Sequence, residues 1–445
     1  MAKTEDFSEA MDRREYRRKR RVRNQMISYI VLAVVLIGVA AGSVIGVQKI
    51  LKMLSDKKQA EELQKQLQEL SENEEEPAVI EAPDEQMGPV SETDYLEEIV
   101  SSTIEAMPLE DKVAGLFFVT PEALTDTDVV VRAGDTTKEK LREYAVGGLI
   151  YFSQNIKDSA QLSEMLQNTM TWSKYPIFLA VDEEGGSVSR VAGAGLADDV
   201  GSMSEIGASG DAAVAREAGA KIGTYLSGYG FNLDFAPVAD VITEGNTVIG
   251  DRSFGMDVNL VSPMVAAMVE GLQDNGVSAC LKHFPGLGDT TEDTHEGMVA
   301  SEKTLDEFTA QDFPVYQAGI GAGVDFIMVS HLSAPNVVGD NTPASLSSMM
   351  INDILRGQLG YQGVVITDAM NMTAITDYYT SEQAAVMALQ AGADMILMPE
   401  DFKAAYQGVL DAVNNGTLTE ERIDESLRRI YRIKKYEEYI SIIGE

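Results

Sequence analysis

Eight short apolar runs, separated by stretches of helical periodicity, limit the possible folds of this chain more than any other feature. In order they are residues 116–119, 148–152, 177–181, 232–237, 277–281, 326–329, 364–367 and 395–398. Segments such as 159–172, 212–229, 262–275, 305–321 and 381–391 lie between them with the length and spacing of helices. Strands separated by helices pair in parallel, each through a crossover. Eight in succession predict an α/β fold, a (β/α)8 TIM-type barrel over residues 95–445, and roughly 350 residues is within that fold's range. A doubly wound open sheet is the competing fold. The barrel is favoured because polar residues recur just past many strands: Ser153 and Asn155, Asp182, Asp240, Lys282 and His283, His331, Asp368. In a barrel those positions converge on one face.

The chain before residue 95 has a different character. Residues 13–23 hold eight Lys/Arg and one acid, and residues 27–47 then run 21 positions without a charge. At about 1.5 Å per residue such a helix spans roughly 31 Å, the thickness of a hydrocarbon core. Residues 27–47 are therefore expected to be a transmembrane helix. The basic tail, residues 1–26, stays cytoplasmic by the positive-inside rule, and everything after Val47 lies outside the cell membrane. A cleaved signal peptide is the alternative, but the run exceeds the usual signal core of about 7 to 15 residues, and Ala40, Ala41 and Gly42 lie inside it. Residues 48–94 read as a linker, first charged and helical, then Glu-rich, Pro-containing and disordered. It is a tether.

Charge excludes one class of partner. With 35 Lys/Arg against 71 Asp/Glu the net charge is −36, and the positive residues concentrate in the tail, so nucleic acid is not expected to bind. The only cysteine, Cys280, excludes an intramolecular disulfide or a multi-cysteine metal site.

Chemistry concentrates between Lys282 and His295, a stretch with two of the three histidines, one lysine and three acids. Lys282 and His283 are expected where the fifth strand ends, with an irregular loop after them. Carboxylates, Arg and Lys held in fixed geometry suit hydroxyl-rich ligands such as sugars, and several stand at strand ends here. Cleaving a glycosidic bond with retention needs a carboxylate nucleophile and a second group that donates and then accepts a proton. Asp368 suits the first role and His295 the second, with Asp293 placed to orient the imidazole.

Lys282-His283-Phe284-Pro285-Gly286 with Asp293-Thr294-His295, together with Asp182-Glu183-Glu184-Gly185-Gly186, Asn232-Leu233-Asp234-Phe235-Ala236-Pro237-Val238, Arg252-Ser253-Phe254 and Thr367-Asp368, resembles glycoside hydrolase family 3. The similarity covers about residues 97–440 and points to the bacterial β-N-acetylglucosaminidase branch, which acts on peptidoglycan fragments. It implies Asp368 as nucleophile, His295 as general acid/base, Asp293 as its partner, and Asp182, Arg190, Arg252, Lys282 and His283 as substrate-binding groups. No metal or other cofactor is implied. Two departures are visible: Leu287 where the family usually has histidine, and Ser187 where Gly-Gly-Arg is common. The expected protein is a membrane-anchored retaining β-N-acetylhexosaminidase acting on peptidoglycan-derived or other N-acetylglucosamine-containing carbohydrate. The competing readings are a metal-dependent barrel hydrolase using His283, His295, His331 and an aspartate, a non-catalytic cell-wall-binding barrel, and a β-glycosidase or phosphorylase of other specificity.

Overall fold

The computed structural model describes residues 92–290 and 297–443. The expected membrane span at 27–47, the basic tail and the linker up to residue 91 lie outside the described residues. Among the described residues no helix is long and apolar enough to cross a membrane.

Each of the eight apolar runs forms or begins a strand: β1 (Phe117–Val119), β2 (Gly148–Ile150), β3 (Phe178–Val181), β4 (Leu233–Asp234), β5 (Ser278–Phe284), β6 (Phe326–Val329), β7 (Val364–Thr367) and β8 (Ile396–Leu397). The sheet order follows the chain and returns on itself, with Phe117 of β1 opposite Ile396 of β8 in parallel. Between β7 and β8 the parallel bridge Ile366–Met395 joins the ring, and the Thr367 amide donates to the Met395 carbonyl at 3.1 Å. First and last strands therefore meet, which excludes the open sheet. All side chains of β1, β2, β3, β6 and β7 are buried. Strands covered on both faces read as unbroken apolar runs, and each fully buried Val, Leu or Phe contributes about 1.5–3 kcal/mol.

The helices that set the frame are α1 (Glu92–Glu105), α2 (Ser159–Trp172), α3 (Ala212–Tyr229), α4 (Val258–Asp274), α5 (Leu305–Gln311), α6 (Phe313–Gly321), α7 (Met349–Gln358), α8 (Ser381–Ala391) and α9 (Glu420–Ile443). Side chains cap their starts: Asp158 accepts from the Gln161 amide and Asp211 from the Ala213 amide, each at 2.9 Å, while Thr380 and Gln383 form a capping box. Three helical expectations shift. Ser262-Pro263 reads as a helix start, yet α4 begins four residues earlier, because the Asp257 carboxylate already caps the Asn259 amide at 2.9 Å. The segment 305–321 divides at Asp312, where Pro314 has no amide hydrogen to continue the first helix. The helix α1 starts three residues inside the expected linker. Helices α3 and α4 touch through glycine: a Cβ on Gly219 would stand 2.5 Å from the Met268 carbonyl oxygen, and one on Gly271 only 2.3 Å from that of Arg216.

The chain enters and leaves at the N-terminal end of the strands. Glu97 of α1 pairs with Arg432 of α9, Lys112 pairs with Glu420 at 2.8 Å, and Lys434 of α9 donates to the Gly147 carbonyl at 2.9 Å, just before β2. The C-terminal ends of the strands carry the loops that hold the polar cluster.

Candidate active site

Three consecutive acids after β3 take three different tasks. Asp182 is partly exposed and, among the described residues, commits only Oδ1, to Lys282 Nζ at 2.7 Å. Glu183 has no exposed surface and folds the following loop onto itself: its oxygens accept from the amides of Arg190 (2.6 Å), Val191 (2.7 Å) and Ala192 (2.8 Å) and from the Tyr225 hydroxyl (2.9 Å). Burial pushes its carboxyl upward against those bonds. Glu184, also buried, takes Arg252 in a two-pronged pair, Nε at 2.7 Å and Nη2 at 2.8 Å, and meets Lys282 Nζ at 2.6 Å. Burial alone would raise the Glu184 carboxyl, but Lys282 and Arg252 together hold it down at about 2.

Lys282 and His283 sit on β5 itself and not on the loop after it, because the strand continues three residues beyond the expected Leu281 to Phe284. Its pairing with β6 shifts register between Leu281 and Phe284, and the Lys282–His283 peptide is cis. Burial opposes the Lys282 charge, yet the Asp182 and Glu184 carboxylates outweigh it and raise its pKa. His283 Nδ1 lies 2.7 Å from Asp240 Oδ2.

Asp368 follows β7 directly. Its amide donates to the Val329 carbonyl and its Oδ1 accepts from the Ala369 amide, both at 2.8 Å. Burial favours the neutral acid, but His283, His331, the Ala369 amide and Lys282 prevail and lower its pKa, so the carboxylate is the stable form at neutral pH. His331 has no exposed surface; Nδ1 lies 2.8 Å from Ser345 Oγ and Nε2 lies 2.9 Å from the Ala369 carbonyl, so it braces the residue next to Asp368. Beneath these groups Asp234 lends Oδ1 to the Glu183 amide at 2.9 Å while burial keeps its carboxyl far above the ordinary range.

The structure thus brings together five of the expected residues: Asp182, Arg252, Lys282, His283 and Asp368. Arg190 is tied to this group through its backbone by Glu183, while its guanidinium lies 6.0 Å from the Phe152 ring. Asp293 and His295 lie outside the described residues, so the expected approach of His295 to Asp368 does too. The flanks of that segment are anchored: Asn246 Nδ2 donates to the carbonyls of Leu287 (3.1 Å), Gly288 (3.1 Å) and Thr290 (2.8 Å), and Ser301 Oγ donates to Asp289 at 2.6 Å. At the two departures, Leu287 is buried with its amide on Asp240 at 2.7 Å, and Ser187 Oγ stands 3.4 Å from Asp251 on the Arg252 loop. Among the described residues no group of three or more His, Cys, Asp or Glu is arranged to hold a metal ion.

Glu184 and Asp240 are the members that sequence reasoning left without a role. Asp240 stands between Ala239 and Val241 and Glu184 ends a run of three acids after β3, and a buried acid in a barrel has to find a cation or a donor.

A closed parallel barrel with an ionised aspartate, a paired lysine and an arginine gathered at its strand ends is the architecture of the glycoside hydrolase barrels. Residues 108–433 match the family model described as Glycosyl hydrolase family 3 N terminal domain, and the chain belongs to that family. It is 34% identical over 266 residues to a beta-hexosaminidase of Stenotrophomonas maltophilia strain K279a, spanning 59% of this chain and 78% of that protein. It is equally 34% identical to Beta-hexosaminidase A of Pseudoalteromonas piscicida over 66% of this chain, but spans just over half, 54%, of that relative. Among solved structures, a glycoside hydrolase family 3 β-N-acetylglucosaminidase from Paenibacillus superposes with a TM-score of 0.69 at 36% identity, covering 75% of this chain and 63% of that one. M tuberculosis LpqI gives 0.66 at 31%, covering 74% and 95%.

Proposed function

We propose that the chain is a retaining β-N-acetylglucosaminidase, a β-N-acetylhexosaminidase that removes terminal β-linked N-acetylglucosamine from peptidoglycan or its fragments. The observation that carries this reading is Asp368: a strand-end carboxylate kept ionised by His283, His331 and Lys282, beside Lys282 and Asp182. The relatives named beta-hexosaminidase and β-N-acetylglucosaminidase support the substrate class.

In this reading Asp368 attacks the anomeric carbon while His295, oriented by Asp293, protonates the departing oxygen. The bond to the aglycone breaks as the bond to Asp368 forms. His295 then takes a proton from water, which displaces Asp368 and restores the β configuration. Asp182 Oδ2, Lys282 and Arg252 hold the sugar hydroxyls, and Glu184 keeps the two cations fixed. Residues 27–47 anchor the chain in the cell membrane with residues 1–26 cytoplasmic, so the barrel works outside, within reach of the wall.

The test is hydrolysis of an aryl N-acetyl-β-glucosaminide by the full chain, with the aryl glucoside as control and the first-formed sugar's configuration followed by proton NMR. Selective release from the N-acetyl substrate with β product supports the reading; a folded protein that releases nothing, or α product, refutes it. Protease added outside intact cells should degrade the barrel and spare residues 1–26. The reverse pattern would overturn the anchor.

A further inference from the structure

Asp240, in the segment after β4, has no exposed surface and holds three donors with two oxygens. Oδ2 lies 2.7 Å from His283 Nδ1, while Oδ1 accepts from the Leu287 amide at 2.7 Å and the His283 amide at 3.4 Å. A carboxylate oxygen accepts and cannot donate, so Nδ1 of His283 carries the hydrogen. That leaves Nε2, which has no hydrogen-bond partner among the described residues, as the ring atom open to a ligand. The His283 ring faces Asp368 closely enough to be the charge that lowers its carboxyl most. The same carboxylate also fixes the backbone on both sides of Phe284, so ring and strand end cannot turn independently.

We infer that Asp240 is a positioning residue: it sets the tautomer and plane of His283, so that Nε2 is presented to the sugar beside the Asp368 nucleophile. Asp240 touches no reacting atom in this arrangement and works through the imidazole. The inference rests on the glycosidase reading for its effect on rate, and on geometry alone for its effect on the ring.

Two readouts separate these. The chain has three histidines, so nitrogen-15 correlation spectra of the histidine-labelled full chain can be assigned with single substitutions. In the native protein His283 should show a hydrogen on Nδ1 at every pH where the ring is neutral. Asp240→Asn, whose amide can donate to Nδ1, should move that hydrogen to Nε2. Asp240→Asn should also lower kcat/KM by roughly 100-fold, as loss of the group orienting a functional imidazole does. In a His283→Ala background the same substitution should cost nothing further. A native His283 carrying its hydrogen on Nε2 overturns the inference, and so does an equal loss in both backgrounds. If the wild-type chain cleaves no β-N-acetylglucosaminide, the glycosidase reading fails, and the nitrogen signature still decides the role of Asp240.

Discussion

The barrel holds a buried charge cluster at each end, and the two are finished differently. At the N-terminal end Asp394 has no exposed surface, and both its oxygens are filled: Oδ1 accepts from Ser426 (2.7 Å) and Arg429 (2.9 Å), Oδ2 from Arg356 (2.6 Å) and the Val365 amide (2.9 Å). At the other end, among the described residues, Asp182 commits one oxygen to Lys282, Asp368 one to an amide, and His283 keeps Nε2 open. Burial and ion pairing are common to both ends. What separates a site from a structural cluster is valence left unfilled and facing a mouth.

The largest effect that tests this contrast is Asp368→Asn, which should reduce kcat by about 10,000-fold or more while lowering the thermal midpoint only slightly, since the neighbouring charges favour the ionised carboxylate without a direct ion pair among the described residues. A mild loss would erase the distinction. The opposite signature is expected from Asp394→Ala: roughly 3–5 kcal/mol lost in urea unfolding, because Arg356 and Arg429 lose their carboxylate, with the folded fraction turning over at the native rate. Reduced turnover per folded molecule would show that the two ends are coupled. Glu184→Gln should fall between, with kcat/KM down about 100-fold as Lys282 and Arg252 lose a shared anchor and stability down by about 1–2 kcal/mol. The smallest effect concerns Asp312, whose carboxyl burial pushes up to about 7 although Lys303 Nζ lies 2.7 Å away. A raised carboxyl stabilises the fold fully below its unfolded value of 3.8, and that contribution disappears as pH rises through about 7. Asp312→Asn should therefore flatten the stability profile, removing the loss that the native chain undergoes between about pH 4 and 7 and leaving turnover unchanged. Parallel profiles would assign that acid to the filled class.

Much of this was legible in order along the chain. Doubly buried parallel strands write themselves as apolar runs, and the polar residue after each run marks the mouth, which is how Asp182, Lys282, His283 and Asp368 could be found. Partnerships between distant elements left no such trace. Asp394 recruits Arg356 from α7 and Arg429 from α9, and nothing local in either helix announces the pairing. Asp182, Glu183 and Glu184 look alike in sequence, yet the backbone turns one toward the mouth, one into its own loop and one onto two cations. The extension of β5 through His283 was hidden because charged residues interrupt its apolar pattern, and partners across the barrel, Asp182, Glu184 and Asp240, compensate for their burial.

The helix α1 meets the barrel at the end opposite Asp368, where Glu97 grips Arg432 and α9 reaches Gly147 through Lys434. A pull applied through the preceding residues would therefore load α1, α9 and the strand starts first. The mechanical path runs along the back of the barrel and bypasses the mouth. A load entering through α1 would leave the geometry around Asp368 undisturbed.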